Sequence, residues 1–372
     1  MSHQNGLSRR DFQRLAALAL ASALAPSRVS ADQQPLPVEP DGPVRLHFNE
    51  NPEGMVPGAR QALSGLIDLA WQYPVESREL LQQELARHHQ APSARILLGN
   101  GSSELLAVAA QTFAGLGRPL VIADPTYDAL AEYAATIEAP VERVPLTEDW
   151  QHDLARMRKA AGRTGVIYVC NPNNPTGTIT SRGPIRQVLE NAPEEGVVIV
   201  DEAYHHYTLS PEYQSVTTLI DSHPNLMVLR TFSKIYGMAG LRCGYAVAQE
   251  ALIRRLRGRQ ARNNLNVAAL LAARASLLDT SWVERSRKRN AETRALVVKE
   301  LGRLGFSTTP SDASFFMIDL GRETRAVTQQ MRGRGVLVGR PFPPLIRHLR
   351  VSIGTPPQME RFLDAFSQVM GS

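Results

Sequence analysis

Short, unbroken apolar runs recur along the chain at residues 96–98, 120–122, 166–169, 197–200 and 227–229. Strands covered on both faces read this way, because neither face has to present polar side chains to water. Between the runs lie stretches with apolar positions at helical spacing, such as 103–113 and 184–191. This alternation predicts an α/β domain built on a mainly parallel sheet. Beyond about Gln260 the pattern changes to longer helices, one of them highly charged over 282–304, with strand-like runs at 315–320, 336–338 and 349–353. A smaller α+β domain is expected there, joined by an N-terminal segment that enters ordered structure at 44–48. The expected division is an N-terminal arm over 32–75, a large domain over 76–262 and a small domain over 263–372.

Polar clusters sit directly after these runs: Gly99-Asn100-Gly101, Asp124-Pro125-Thr126-Tyr127, Asn171 to Gly177, Asp201 to Tyr204, and Thr231 to Lys234. Open α/β sheets bind ligands beyond the carboxyl ends of their strands, so these clusters can converge on one site.

The first residues differ in kind. Ser8-Arg9-Arg10-Asp11-Phe12 precedes an apolar stretch from Leu15 to Ala25 and a small-residue sequence, Val29-Ser30-Ala31. Residues 1–31 resemble a cleaved twin-arginine export signal, and the periplasm is the expected destination, with the cytoplasm as the alternative. The apolar stretch is well short of the roughly 20 residues of a bilayer span. Without this segment the formal charge falls from +5 to +2, which gives no reason to expect nucleic acid or an anionic membrane as partner. Cys170 and Cys243 are the only cysteines, too few for a disulfide-stapled scaffold, so stability must come from a packed core. No metal site, serine triad or dinucleotide fingerprint stands out.

Arginine supplies most of the positive charge; the lysines number four, Lys159, Lys234, Lys288 and Lys299. Three lie in Arg/Glu-rich helical stretches, where a solvated ammonium is the ordinary state. Lys234 instead lies in Thr231-Phe232-Ser233-Lys234-Ile235-Tyr236-Gly237, with Arg242 shortly after. A lysine that is partly desolvated and near another cation loses pKa and becomes a usable nucleophile toward an aldehyde. This segment alone fits an ordinary strand-end lysine equally well. Ser233 and Thr231 add hydroxyl donors, and the planar fork of Arg242 suits a phosphate. An imine-forming lysine beside a phosphate handle points to pyridoxal 5′-phosphate (PLP).

With these motifs in order, from Asn49-Glu50-Asn51-Pro52 to Arg350-Val351-Ser352-Ile353-Gly354-Thr355, the chain resembles the class I/II aminotransferases of fold type I, within them the histidinol-phosphate aminotransferase branch. The resemblance implies that Lys234 holds PLP as a Schiff base and later moves a proton as general base. Asp201 would keep the pyridine nitrogen protonated and Tyr204 would bond the ring's 3′ oxygen, although alone this tetrad reads as a strand end entering a turn. Asn174 would face that oxygen and the substrate carboxylate, in a segment whose composition by itself says only loop. Gly101, Ser102 and Ser103 would form the phosphate cup at a helix start, shared with Thr231, Ser233 and Arg242. Tyr127 would stack on the ring, with core packing as the plain alternative. Tyr73 would reach the phosphate of a neighbouring subunit, so a homodimer with shared active sites is implied. Arg350 would grip an α-carboxylate in bidentate fashion, where a surface arginine on an edge strand is the bland alternative.

Two departures bear on substrate. The branch usually carries Tyr after Asn-Glu-Asn-Pro, where this chain has Glu53, which would repel a phosphate. It also carries Arg directly after a Gly-Val/Ile-x-Val strand, whereas here Gly339 intervenes before Arg340, and side-chain alternation would turn Arg340 away. A free amino acid is therefore the expected donor and a 2-oxo acid the acceptor, with Glu53 raising the prospect of a cationic donor side chain. The alternatives are a PLP-dependent lyase or cyclase and, from another class, a non-catalytic PLP-binding protein.

Overall fold

The computed structural model describes residues 42–192 and 195–371. The export signal expected over 1–31, and the arm up to residue 41, lie outside the described residues.

A seven-stranded sheet dominates: β2 (Ile96–Gly99), β3 (Leu120–Asp124), β4 (Val141–Pro145), β5 (Val166–Cys170), β6 (Val197–Asp201), β7 (Leu226–Thr231) and β8 (Gly244–Ala248), in the spatial order β2-β8-β7-β6-β5-β3-β4. Strands β4, β3, β5, β6 and β7 are parallel neighbours, and β8 runs antiparallel to both β7 and β2. Two of the seven have no counterpart among the five apolar runs. Strand β4 is an edge strand whose Glu142 and Arg143 are exposed, and β8 opens on a glycine.

The apolar runs are continuous because both faces of the sheet are covered. Val198 and Val200 face one core with Val228 and Ile167, while Val197 and Ile199 face another with Met227 and Tyr168. Successive side chains of a strand point to opposite faces, so a strand between two cores is apolar along most of its length, with polar residues such as Asp201, Arg230 and Thr231 confined to the carboxyl ends.

A third core belongs to a smaller layer. There β1 (Val44–Leu46) pairs in parallel with β10 (Val336–Val338), and β9 (Phe315–Asp319) pairs antiparallel with β11 (His348–Ser352). Two long helices lead into and pack against this layer, α9 (Thr280–Arg303) before it and α11 (Pro356–Met370) at its end. The pairing of β1 with β10 ties the start of the described chain to its carboxyl-terminal part.

The chain between β1 and the first helix then runs as a strap over the carboxyl ends of the large sheet. Gly237, at φ +67°, lies so close to it that an added Cβ would sit 1.9 Å from the Gly54 carbonyl oxygen. Asn51 Nδ2 donates to the Ile235 carbonyl at 2.7 Å. Among the described residues no helix is long and apolar enough to cross a membrane.

Candidate active site

The clusters that follow the strands do converge. A cavity of about 550 Å³ at the carboxyl ends of β5, β6 and β7 is lined by Ser102, Ser103, Tyr127, Asn174, Asp201, Tyr204, Thr231, Ser233, Lys234, Arg242 and Arg350, all of them singled out from the sequence.

Lys234 follows β7 and donates to the Phe48 carbonyl of the strap at 3.1 Å, with its ammonium 5.4 Å from the centre of the Tyr204 ring. Its outer surface opens into the cavity, yet protein surrounds the amine densely. Burial first, then the Arg350 cation, brings its pKa down to about 8. A much larger fraction of neutral amine therefore exists near neutrality than for a solvated lysine.

Asp201 ends β6 and is 1% exposed. Its Oδ2 accepts from the Tyr168 hydroxyl at 3.0 Å and its Oδ1 from the Ala203 N–H at 3.0 Å. Burial raises its pKa to about 6, against the lowering effect of these two donors, so it stays mainly ionised at neutral pH. One residue on, Glu202 points away from the cavity into a buried pair with Arg230, at 2.8 Å, reinforced by the Ser215 hydroxyl and the Val216 N–H. That pair props up the ends of β6 and β7 from below, and no sequence signal separated it from a surface pair.

One end of the cavity is a cradle of donors. Gly101, at φ +78°, is the N-cap of α3 (Ser102–Phe113), and an added Cβ there would lie 2.2 Å from Arg242 Nη2. Arg242 donates to Ser233 Oγ at 3.3 Å and approaches Ser103 Oγ at 3.5 Å, and Thr231 Oγ1 donates to Ser233 Oγ at 3.0 Å. No carboxylate faces Arg242 among the described residues. A guanidinium, several hydroxyls and the N-terminus of a twelve-residue helix together make an anion site.

At the other end Arg350, 6% exposed, leaves β11 and donates through Nη1 to Asn174 Oδ1 at 2.6 Å and through Nη2 to the His47 carbonyl at 2.6 Å. Its Nε is buried without a partner among the described residues, and burial pulls its pKa down to about 10. Among the described residues this cation has neutral hydrogen-bond partners and no carboxylate, which leaves room for an anion.

The aminotransferase class I and II family model matches residues 44–366. The chain belongs to this family.

Among its relatives, the histidinol-phosphate aminotransferases of Moorella thermoacetica and Symbiobacterium thermophilum are each 37% identical over 88% of this chain, covering 85% and 91% of their own length. The solved histidinol-phosphate aminotransferase of Sinorhizobium meliloti, in complex with pyridoxal 5′-phosphate, superposes with a TM-score of 0.83 at 26% identity, covering 88% of this chain and 90% of its own. The protein is thus a PLP-dependent aminotransferase of fold type I. The site fits that cofactor: the Gly101–Arg242 cradle has the donors a phosphate needs, and the buried carboxylate of Asp201 lines the same cavity as Arg242.

Glu53 is not in this aminotransferase's cavity. Asn51 Oδ1 accepts from the Glu53 N–H at 3.0 Å and turns the strap, so the Glu53 carboxylate meets Arg289 Nε at 2.5 Å and Ser286 Oγ at 2.9 Å on α9. The expected substrate contact from Glu53 is therefore corrected. Arg340 also departs from expectation. Strand β10 stops at Val338, so alternation does not carry on to Arg340, which lines the cavity, stacks on Phe342 at 4.5 Å and lies 3.7 Å from Asp128. Tyr73 is 73% exposed and does not line the cavity of its own chain. Asn49, Arg332 and Thr328 were missed. Arg332 and Thr328 share one face of a helix, α10 (Thr324–Gly333), which nothing in the sequence marked as facing the site.

Proposed function

We propose that this aminotransferase moves the amino group of an amino acid to a 2-oxo acid, with Lys234 as the covalent anchor and proton carrier. The observation that carries this is the buried Arg350, a cation whose hydrogen-bond partners among the described residues are neutral, in the same cavity as a lysine of lowered pKa. When bound, the cofactor supplies an aldehyde and an electron-withdrawing ring. Gly101, Ser102, Ser103, Thr231, Ser233 and Arg242 hold its phosphate. Asp201 would keep a proton on the ring nitrogen, Tyr127 would pack on the ring, and Tyr204 and Asn174 would serve the 3′ oxygen. Arg350 would grip the donor's α-carboxylate and so hold the donor within the cavity that Lys234 lines. Lys234 Nζ, with its lowered pKa, would serve both as the anchor for the cofactor's aldehyde and as the base that holds and moves the proton lost from the donor's Cα.

The test is a donor screen on purified, PLP-loaded protein, following 2-oxo acid and pyridoxamine phosphate together. Steady formation of both is the expected result. Ammonia release, decarboxylation or a cyclised product without pyridoxamine phosphate would instead assign a lyase or cyclase.

The far end of the cavity favours one class of donor. Arg332 and Arg340 line it, and Thr328 Oγ1 and His47 Nδ1 are buried without partners among the described residues. Arg332 has no ion-pair partner among the described residues, whereas Arg340 is shared with the Asp128 carboxylate, so Arg332 is the cation that suits a donor with an anionic far end, a carboxylate or the phosphate that the relatives' names print. Including glutamate and histidinol phosphate beside neutral aromatic and basic donors in the screen decides this.

A homodimer completes the site in this proposal. Ile67, Trp71 and Tyr73 lie 86%, 80% and 73% exposed on one short stretch, an apolar patch that a second copy would cover. Light scattering on the wild type and on Trp71→Asp, expected to be a dimer and a monomer, tests it. Export is supported by the Arg9-Arg10 pair, the apolar stretch Leu15 to Ala25 and the small-residue Val29-Ser30-Ala31; cell fractionation of the full chain and of the Arg9→Lys/Arg10→Lys variant, expected to be periplasmic and cytoplasmic, tests that.

A further inference from the structure

Asn49 makes a bracket between the two layers. It is 2% exposed and sits at φ +55°, a left-handed conformation that Asn tolerates better than most side chains. Its backbone N–H donates to Ser352 Oγ at 2.9 Å, and the Ser352 hydroxyl in turn donates to Asn49 Oδ1 at 2.9 Å. Its Nδ2 donates to the Tyr204 hydroxyl oxygen at 3.1 Å. These bonds join positions 155 and 303 residues apart in sequence.

The directions of these bonds matter. A side-chain amide donates only through nitrogen and accepts only through oxygen. The Ser352 hydroxyl accepts the Asn49 backbone N–H and donates its hydrogen to Oδ1, an arrangement in which the amide nitrogen faces Tyr204. Nδ2 then points at Tyr204, whose oxygen must accept. The hydrogen of Tyr204 is left to donate elsewhere; no other hydrogen bond of this hydroxyl is found among the described residues, and Tyr204 lines the cavity.

We propose that Asn49, oriented by Ser352, is a positioning residue that aims the Tyr204 hydroxyl hydrogen into the cavity and so sets the proton affinity of the imine between Lys234 and the cofactor. This rests on PLP being held at Lys234. A hydroxyl donating to the ring's 3′ oxygen stabilises that oxygen as an anion, which favours the unprotonated imine and lowers its pKa. Without the bracket, Tyr204 is free to accept or to turn its hydrogen away, and the imine holds its proton to higher pH. Arg350, Arg242, Asp201 and Glu50 bear on Lys234, and Arg350, Cys170 and Tyr127 face Tyr204. All of them stay in place in the variants below, so a shift cannot come from their removal.

The test is a spectrophotometric pH titration of the PLP-loaded protein in the absence of substrate, following the interconversion of the protonated and unprotonated Lys234-linked chromophore. Asn49→Gly is the first variant, because glycine accepts the left-handed backbone and removes only the amide. Ser352→Ala is the second, since it keeps Asn49 but frees the amide to rotate. Loss of one neutral hydrogen bond corresponds to an upward shift of the midpoint by about half to one pH unit for Asn49→Gly. A smaller shift of the same sign is expected for Ser352→Ala. In a Tyr204→Phe background both changes are expected to have no further effect. Midpoints that stay at the wild-type value in both variants overturn the inference, as do shifts that persist undiminished without the Tyr204 hydroxyl. A wild-type protein that binds PLP with no pH-dependent chromophore would instead overturn the Lys234 linkage itself, so the two failures are distinguishable.

Discussion

Arg350 Nη1 meets Asn174 Oδ1 at 2.6 Å, a bond between the last strand of the smaller layer and the loop that follows β5 of the large sheet. An amide is an incomplete partner for a buried guanidinium. A carboxylate adds the opposite charge and a second, parallel acceptor for the planar fork, neither of which an amide oxygen supplies. The same contact thus closes the two layers over the cavity and leaves a place for the substrate's negative charge.

Removing that cation uncovers the effect directly. Arg350→Ala is expected to lower kcat/KM for amino-acid donors by at least about 30-fold, mostly through KM, because truncating one member of a buried charge pair costs 2–5 kcal/mol. Arg350→Lys recovers only part of this, since an ammonium lacks the planar fork. Steady-state kinetics with a fixed acceptor measures both.

The lowered pKa of Lys234, about 8, sets a second expectation. Only the neutral amine attacks an aldehyde, so the rate constant for capture of PLP by cofactor-free protein rises about tenfold per pH unit below 8 and levels off above it. Stopped-flow absorbance follows it. The same shift bears on stability. Between pH 8 and the ordinary lysine value of 10.5, the unfolded chain holds a proton that the folded site has released. This group's contribution to the stability of the cofactor-free protein therefore improves as pH rises through that window.

Most of the large sheet was legible because a strand buried on two faces is apolar along most of its length, and Asp201, Lys234 and Asn174 each stand within a few residues of such a run. Strand β4 was hidden by its edge position, and β8 by its opening glycine. The far end of the cavity was illegible for a different reason. Where Arg340 points depends on β10 ending at Val338, and where Glu53 points depends on the Asn51 turn, neither of which leaves a periodic trace. The Asn49–Ser352 contact spans 303 residues and has no local signature at all.

The buried Glu202–Arg230 pair, 1% and 6% exposed, supports the strand ends that carry Asp201 and Thr231. Glu202→Gln leaves a buried cation without its counter-charge and is expected to destabilise the fold by about 3–5 kcal/mol. Replacing both residues with apolar ones of similar volume, as in Glu202→Leu/Arg230→Met, is expected to recover most of that loss. Denaturant unfolding of the cofactor-free protein measures the difference without interference from PLP affinity.

Glu53 and Arg332 make opposite predictions about donor choice. The Glu53 carboxylate is held by Arg289 and Ser286 on α9 and does not face the cavity, so Glu53→Gln is expected to leave the ratio of kcat/KM for basic over neutral donors within about twofold of wild type, less than 0.5 kcal/mol. Arg289 is half exposed, and stability falls by no more than about 1 kcal/mol. Arg332 lines the far end with no ion-pair partner among the described residues. Arg332→Ala is therefore expected to depress kcat/KM selectively for donors with a carboxylate or phosphate at that end, by about 10-fold or more, while neutral donors change little. Uniform loss across all donors would place Arg332 outside specificity, and a changed basic-to-neutral ratio in Glu53→Gln would restore Glu53 to the substrate site.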